Sequence, residues 1–91
     1  MLKDWKAELA KEIKATEEIR KEALKAMKKS KTKLSRSKLA EARQMLKEGR
    51  ENLYIVRFGN GVHNKKYSMM LLDAAMTSFE DAIDFLEEGG E

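Results

Sequence analysis

The chain has 91 residues, 42% hydrophobic and 38% charged, with a formal net charge of +3 and neither cysteine nor proline. That length admits one small domain, which needs efficient packing or a partner because much of its surface stays wet. The balance of charge and apolarity excludes a disordered tail and matches the Ala/Glu/Lys/Leu/Arg usage of long helices, while the missing cysteines exclude a disulfide, a thiolate nucleophile, a zinc–thiolate site and a c-type haem attached to this chain.

The longest apolar run, around Met69 to Leu72, is too short to cross a bilayer. No secretory leader pattern precedes the first predicted helix, so any export signal is expected outside this chain. The net charge conceals an asymmetry. Residues 1–66 carry 19 basic and 9 acidic side chains, net +10, whereas residues 67–91 carry seven acidic and no basic ones. Inside one bundle an acidic helix is expected to lie against basic neighbours; between molecules the same pattern would favour antiparallel pairing.

In the first segment Leu2, Trp5, Leu9, Ile13, Thr16, Ile19, Ala23, Leu24 and Met27 recur at threes and fours. This predicts one apolar stripe on a helix over about 2–29. The stripe fails in KKSKTKLSRSK, Lys28 to Lys38, where four hydroxyl residues interrupt six basic ones. Hydroxyls compete for backbone hydrogen bonds and cap helices, so Thr32, Ser35 or Ser37 is expected to begin the next helix.

The second stripe, Leu39, Ala42, Met45, Leu46, Gly49, Leu53 and Val56, predicts a helix over about 35–58. Gly49 lies on its apolar face, where a small residue marks close approach of a neighbour. Gly59 is expected to end the helix in the left-handed conformation. Within the turn RFGNGVHNKKY, Gly61 is expected as a structural turn residue and Asn64 as the N-cap of a third helix over about 65–88. The predicted inner face of that helix holds Tyr67, Met70, Leu71, Ala74, Ala75, Ser78, Phe79, Ala82, Ile83, Phe85 and Leu86, and Gly89 and Gly90 end it. Three similar helices with short connections predict an all-α, elongated, antiparallel up-down-up bundle spanning 1–91 as a single domain. The broad third face leaves room for a further contact, from a second copy that would complete the bundle by dimerisation or from another domain.

No enzyme constellation emerges. The serines have no recognisable base beside them, and GNGVHN lacks the Lys-Ser/Thr of a phosphate loop. Glu80/Asp84 and Asp84/Glu88 read as a solvated face, and Met69, Met70 and Met76 as flexible core filler rather than thioether ligands. The basic run Lys28 to Lys38 has no interleaved aromatic and no helix-turn-helix after it, so a charged connection is expected rather than a nucleic-acid interface. His63 has two readings. Its imidazole either ties the turn together through both ring nitrogens or presents one of them to a metal, commonly haem iron.

The segment AEARQMLKEGRENLYIVRFGNGVHNKKYSMMLLDAA resembles the C-terminal helical region of multihaem c-type cytochromes, including relatives of cytochrome c nitrite reductase. The matching residues are Gly61, Val62, His63, Asn64, Tyr67, Leu71 and Leu72, with Ala42, Asn52, Val56 and Trp5 fitting the surrounding pattern. The resemblance implies a non-catalytic helical extension that packs against a haem-bearing segment or chain, builds a homo-oligomer interface, and belongs to a periplasmic or extracytoplasmic electron-transfer protein. It further implies that His63 is a distal haem ligand and Asn64 the cap that fixes its turn. The chain departs from the family in having no Cys-x-x-Cys-His and in placing Lys65 where proline is frequent. Any haem is therefore expected on another segment or chain, and the parent cytochrome, not this domain, would be the oxidoreductase. The alternative expectation is a stand-alone helical-bundle interaction protein, an oligomeric adaptor or a weak nucleic-acid binder through Lys28 to Lys38.

Overall fold

The computed structural model describes residues 2–59 and 65–89, the side chains of residues 2–6 excepted. Helix α1 runs Leu2–Ser30, α2 Arg36–Phe58 and α3 Lys65–Glu87. The expected bounds hold to within a residue. Two contacts fix the helix directions at one end, because Arg57 reaches Glu17 at 2.6 Å and Lys65 reaches Glu8 at 3.2 Å. At the other end Lys38 Nζ donates to the Gly89 carbonyl. Hence α2 runs antiparallel to both neighbours, α1 and α3 run the same way, and the up-down-up bundle is elongated at 48 × 18 × 16 Å.

Core positions follow a seven-residue rhythm. On α1 the buried residues are Leu9, Thr16, Ala23 and Ser30; on α2 they are Leu39, Ala42, Gly49, Leu53 and Val56; on α3, Ser68, Leu72, Ala75, Phe79, Ala82 and Leu86. A repeat of seven averages 3.5 residues per turn, the period at which helices pack along a continuous seam. Phe79, Leu53 and Leu72 are the largest wholly buried apolar side chains, each contributing about 1.5–3 kcal/mol relative to exposure.

The α1 core positions become small and polar toward the C-terminus. Thr16 is wholly buried, and its Oγ1 donates to the Glu12 carbonyl at 2.7 Å. That bond satisfies a hydroxyl which would otherwise carry a desolvation cost.

The expected face of α3 is corrected by about one residue in its first half. Tyr67, Met70 and Ala74 are exposed, whereas Ser68 and Leu72 are buried. In YSMMLLDAA apolar residues surround most of the helix, so hydrophobicity alone does not fix the inner side. Phe79 does, because its ring packs against Gly49 of α2. A β-carbon at position 49 would lie 2.7 Å from Cε1 and 2.9 Å from Cζ of that ring. Gly49 therefore marks a close approach, as its place on the apolar face predicted. On α1, Leu24 is 46% exposed instead of joining the core.

The helix ends show which local signals act. Ser35 is the N-cap of α2, its hydroxyl accepting from the Lys38 N–H at 3.3 Å. Gly59 caps α2 but with φ −80°, so the expected left-handed conformation is wrong. What glycine provides there is space, since a β-carbon would sit 2.6 Å from the Ile55 carbonyl oxygen. Among the described residues the left-handed glycine is Gly89, with φ +78°. Gly61, Asn64 and Gly90 lie outside the described residues.

Candidate functional site

His63 also lies outside the described residues, but the helix ends on either side of it in the sequence are defined. The last turn of α2 exposes Ile55 and Phe58, and the first two turns of α3 expose Tyr67 and Met70. Phe58 is 68% exposed and Met70 61%. These four apolar residues belong to one end of the bundle. Met70 is thus a surface residue rather than core filler, while Met69 packs against the core and Met76 is half-buried.

Behind them runs a chain of contacts that fixes this end. The Arg20 guanidinium lies over the Tyr54 ring at 5.6 Å, Tyr54 meets Phe58 edge-to-face at 5.2 Å, and Arg57 lies over Phe58 at 5.7 Å while pairing with Glu17. Cation–ring contacts of this exposed kind contribute about 0.5–1 kcal/mol each. The four-residue spacing of Tyr54 and Phe58 was the signal for this contact, and apolar periodicity overlooks it because Phe58 points outward.

Two grooves of opposite sign flank the middle of α1. Between α1 and α2, a groove of about 340 Å³ is lined by Arg20, Arg43, Lys47 and Arg50 around Leu24, Leu46 and Phe79. Between α1 and α3, a groove of about 490 Å³ is lined by Glu22, Glu80, Asp81 and Asp84 with Ile19 and Ile83. Glu80, Asp84 and Glu88 are all exposed, as a solvated face requires. Among the described residues no group of acidic or histidine side chains is arranged to hold a metal ion, and no helix is long and apolar enough to cross a membrane.

The basic run is not one loop. Lys28 and Lys29 belong to the last turn of α1, Lys31 and Lys33 to the connection, and Arg36 and Lys38 to α2. Ser30 is buried at the junction, and its carbonyl accepts from both Lys33 and Leu34 N–H groups. Among the described residues a second concentration of cations without an ion pair lines the α1/α2 groove. Its sequence signal was the recurrence of arginine at 36, 43, 50 and 57.

No protein-family model matches the chain, and no curated protein or solved structure is similar enough to be matched to it. Function therefore rests on these surfaces and on the motif at the turn.

Proposed function

We propose that the chain is a non-catalytic helical scaffold of a multihaem cytochrome, docking its α2/α3 end against a haem-bearing segment or chain, with His63 offered as a distal ligand to that haem. The observation that carries this reading is the set of exposed apolar side chains, Ile55, Phe58, Tyr67 and Met70, at the end where α2 stops and α3 starts, on either side of Gly61-Val62-His63-Asn64 in the sequence. An isolated apolar surface residue is ordinary, but several at one end of the bundle suit burial against another body. The donor set agrees with a haem carried elsewhere: one imidazole and no Cys-x-x-Cys-His. An imidazole ligand tunes haem iron through its axial bond, and a hydrogen bond to its second nitrogen fixes its orientation.

The test is spectroscopic. The purified domain is mixed with haem, and separately with a haem-bearing cytochrome partner, and Soret spectra are recorded for wild type and His63→Ala. A shift present in wild type and absent in the variant is expected; identical spectra remove the ligand role. Sedimentation over a concentration series addresses self-association, and a strict monomer throughout removes the homo-oligomer.

A second reading, a stand-alone interaction protein, draws support from the charged grooves beside α1. For its nucleic-acid version, titration with labelled duplex and single-stranded DNA at two salt concentrations is decisive. No binding at low salt disposes of the assignment to Lys28 through Lys38.

A further inference from the structure

We propose that the α1/α2 groove is a docking site for an acidic amphipathic helix of a partner protein, which lies in the groove as a fourth helix. The proposal is independent of the haem reading. Arg50 precedes the end of α2 by eight residues, about 12 Å of helix, so the groove stands apart from the helix end on which the haem reading rests.

The first observation is uncompensated like charge. Arg20 on α1 faces a wall of Arg43, Lys47 and Arg50 on α2, and no carboxylate lines the groove. Among the described residues the ion pairs are Arg57–Glu17 and Lys65–Glu8, so none of the three α2 cations is paired. Cations crowded across a seam between helices oppose its closure. The bundle accepts that cost at the level of the groove and relieves it one step further along, where Glu17 meets Arg57.

Register supplies the second. Arg36, Arg43, Arg50 and Arg57 recur every seven residues, about 10.5 Å apart along the helix. Arg43, Arg50 and Arg57 each follow a buried core residue, Ala42, Gly49 and Val56. These are the flanking positions whose charges choose the neighbouring helix in a coiled coil. Arg57 uses its position in that way toward α1. The others face a groove whose floor is Leu24, Leu46 and the Phe79 ring, with Leu24 46% exposed. An apolar strip with three cations along its α2 side and Arg20 on its α1 side is complementary to a helix with leucines on one stripe and carboxylates flanking it, most of them on the side toward α2.

A nucleic acid finds no base contact in this groove: no exposed aromatic ring lines it for stacking, since Phe79 is wholly buried. The acidic row of α3 cannot fill the groove from within the chain. Glu80, Asp81 and Asp84 line the other groove, on the far side of α1.

The test uses the full chain and a fluorescein-labelled three-heptad peptide with leucine at the core positions and glutamate at the flanking ones, read by fluorescence anisotropy. Saturable binding at low salt that weakens as salt rises is expected. Arg43→Glu/Arg50→Glu is expected to lower affinity at least about tenfold, and Leu24→Ser to lower it without altering the salt slope. Lys11→Glu/Lys14→Glu, with the same change of net charge on an exposed part of α1, is expected to bind within about twofold of wild type. Folding is verified by circular dichroism. Should the double glutamate variant unfold, Arg43→Gln/Arg50→Gln is expected to show the same direction of loss with a raised melting midpoint in the free protein. Equal losses in both double glutamate variants overturn the proposal, as does failure to bind the peptide while duplex DNA binds through the same arginines. Salt-sensitive self-association that Glu80→Lys/Asp84→Lys abolishes, with no peptide binding, overturns it in favour of a second copy as the occupant.

Discussion

Gly49→Ala separates packing from helix propensity, because the two effects have opposite signs. Glycine inside a helix costs about 1 kcal/mol relative to alanine, so propensity alone makes the substitution stabilising by that amount. The new β-carbon, however, would lie 2.7, 2.9 and 3.0 Å from Cε1, Cζ and Cδ1 of Phe79. Carbon atoms prefer about 3.5–4.0 Å, so the ring must retreat by roughly 0.8 Å. It is wholly buried and forms the floor of the α1/α2 groove. Forcing such a shift in a packed core costs about 1–3 kcal/mol. The balance is a net loss of up to about 2 kcal/mol, with a melting midpoint lowered by several degrees, given about 4–8 °C per kcal/mol at this size. Denaturant and thermal unfolding of Gly49→Ala, Phe79→Leu and the double variant close the cycle. In the Phe79→Leu background the alanine is expected to recover part of its propensity gain. A rise in midpoint in the wild-type background, or the same effect in both, refutes the close approach as the reason for the glycine.

Ser35→Ala removes the side chain that accepts from Lys38 N–H and is expected to cost about 0.5–1 kcal/mol in chemical unfolding, with Ser35→Asp retaining the cap. The two described terminal glycines are expected to respond differently to asparagine, which tolerates positive φ. At Gly89, where nothing crowds the missing β-carbon, the change is nearly neutral; at Gly59, where the Ile55 carbonyl stands 2.6 Å away, it destabilises, and equal effects would remove the distinction. Thr16→Val deletes a buried hydroxyl whose acceptor is a carbonyl of its own helix, so a change within about 1 kcal/mol is expected by calorimetry and a loss above about 2 kcal/mol contradicts it. Because two of the grooves beside α1 each gather one sign of charge, moderate sodium chloride is expected to raise the melting midpoint by screening that crowding, outweighing the exposed pairs; a monotonic fall refutes this.

Helix number, bounds and direction were legible because they depend on local signals that agree with one another: apolar spacing, hydroxyl residues at Ser35, glycine at 59 and 89. Orientation of α3 was less legible. Met69, Met70, Leu71 and Leu72 are nearly equivalent in hydrophobicity, and only the fit of Phe79 to Gly49 on another helix selects Leu72 and exposes Met70. Gly59 illustrates the same limit. Its place after α2 identified a terminus, but whether glycine serves φ or space depends on where the Ile55 carbonyl lies.

Charge followed the core rather than the reverse. The acidic surplus of residues 67–91 predicts contact with the basic remainder of the chain, yet the described ion pairs use Glu17 and Glu8, both on α1. Burying Leu72, Ala75, Phe79 and Ala82 turns Glu80, Asp81 and Asp84 toward Glu22, while burying Ala42, Gly49 and Val56 turns Arg43 and Arg50 toward Arg20. A wholly buried leucine or phenylalanine is worth about 1.5–3 kcal/mol and an exposed ion pair about 0–1, so the core dictates register and the charges take the faces that remain. Among what remains are a cationic groove on one side of α1 and an acidic one on the other. A partner that complements both must approach along α1 with its own charges segregated, and one that complements a single groove is oriented by the absence of its counterpart across α1.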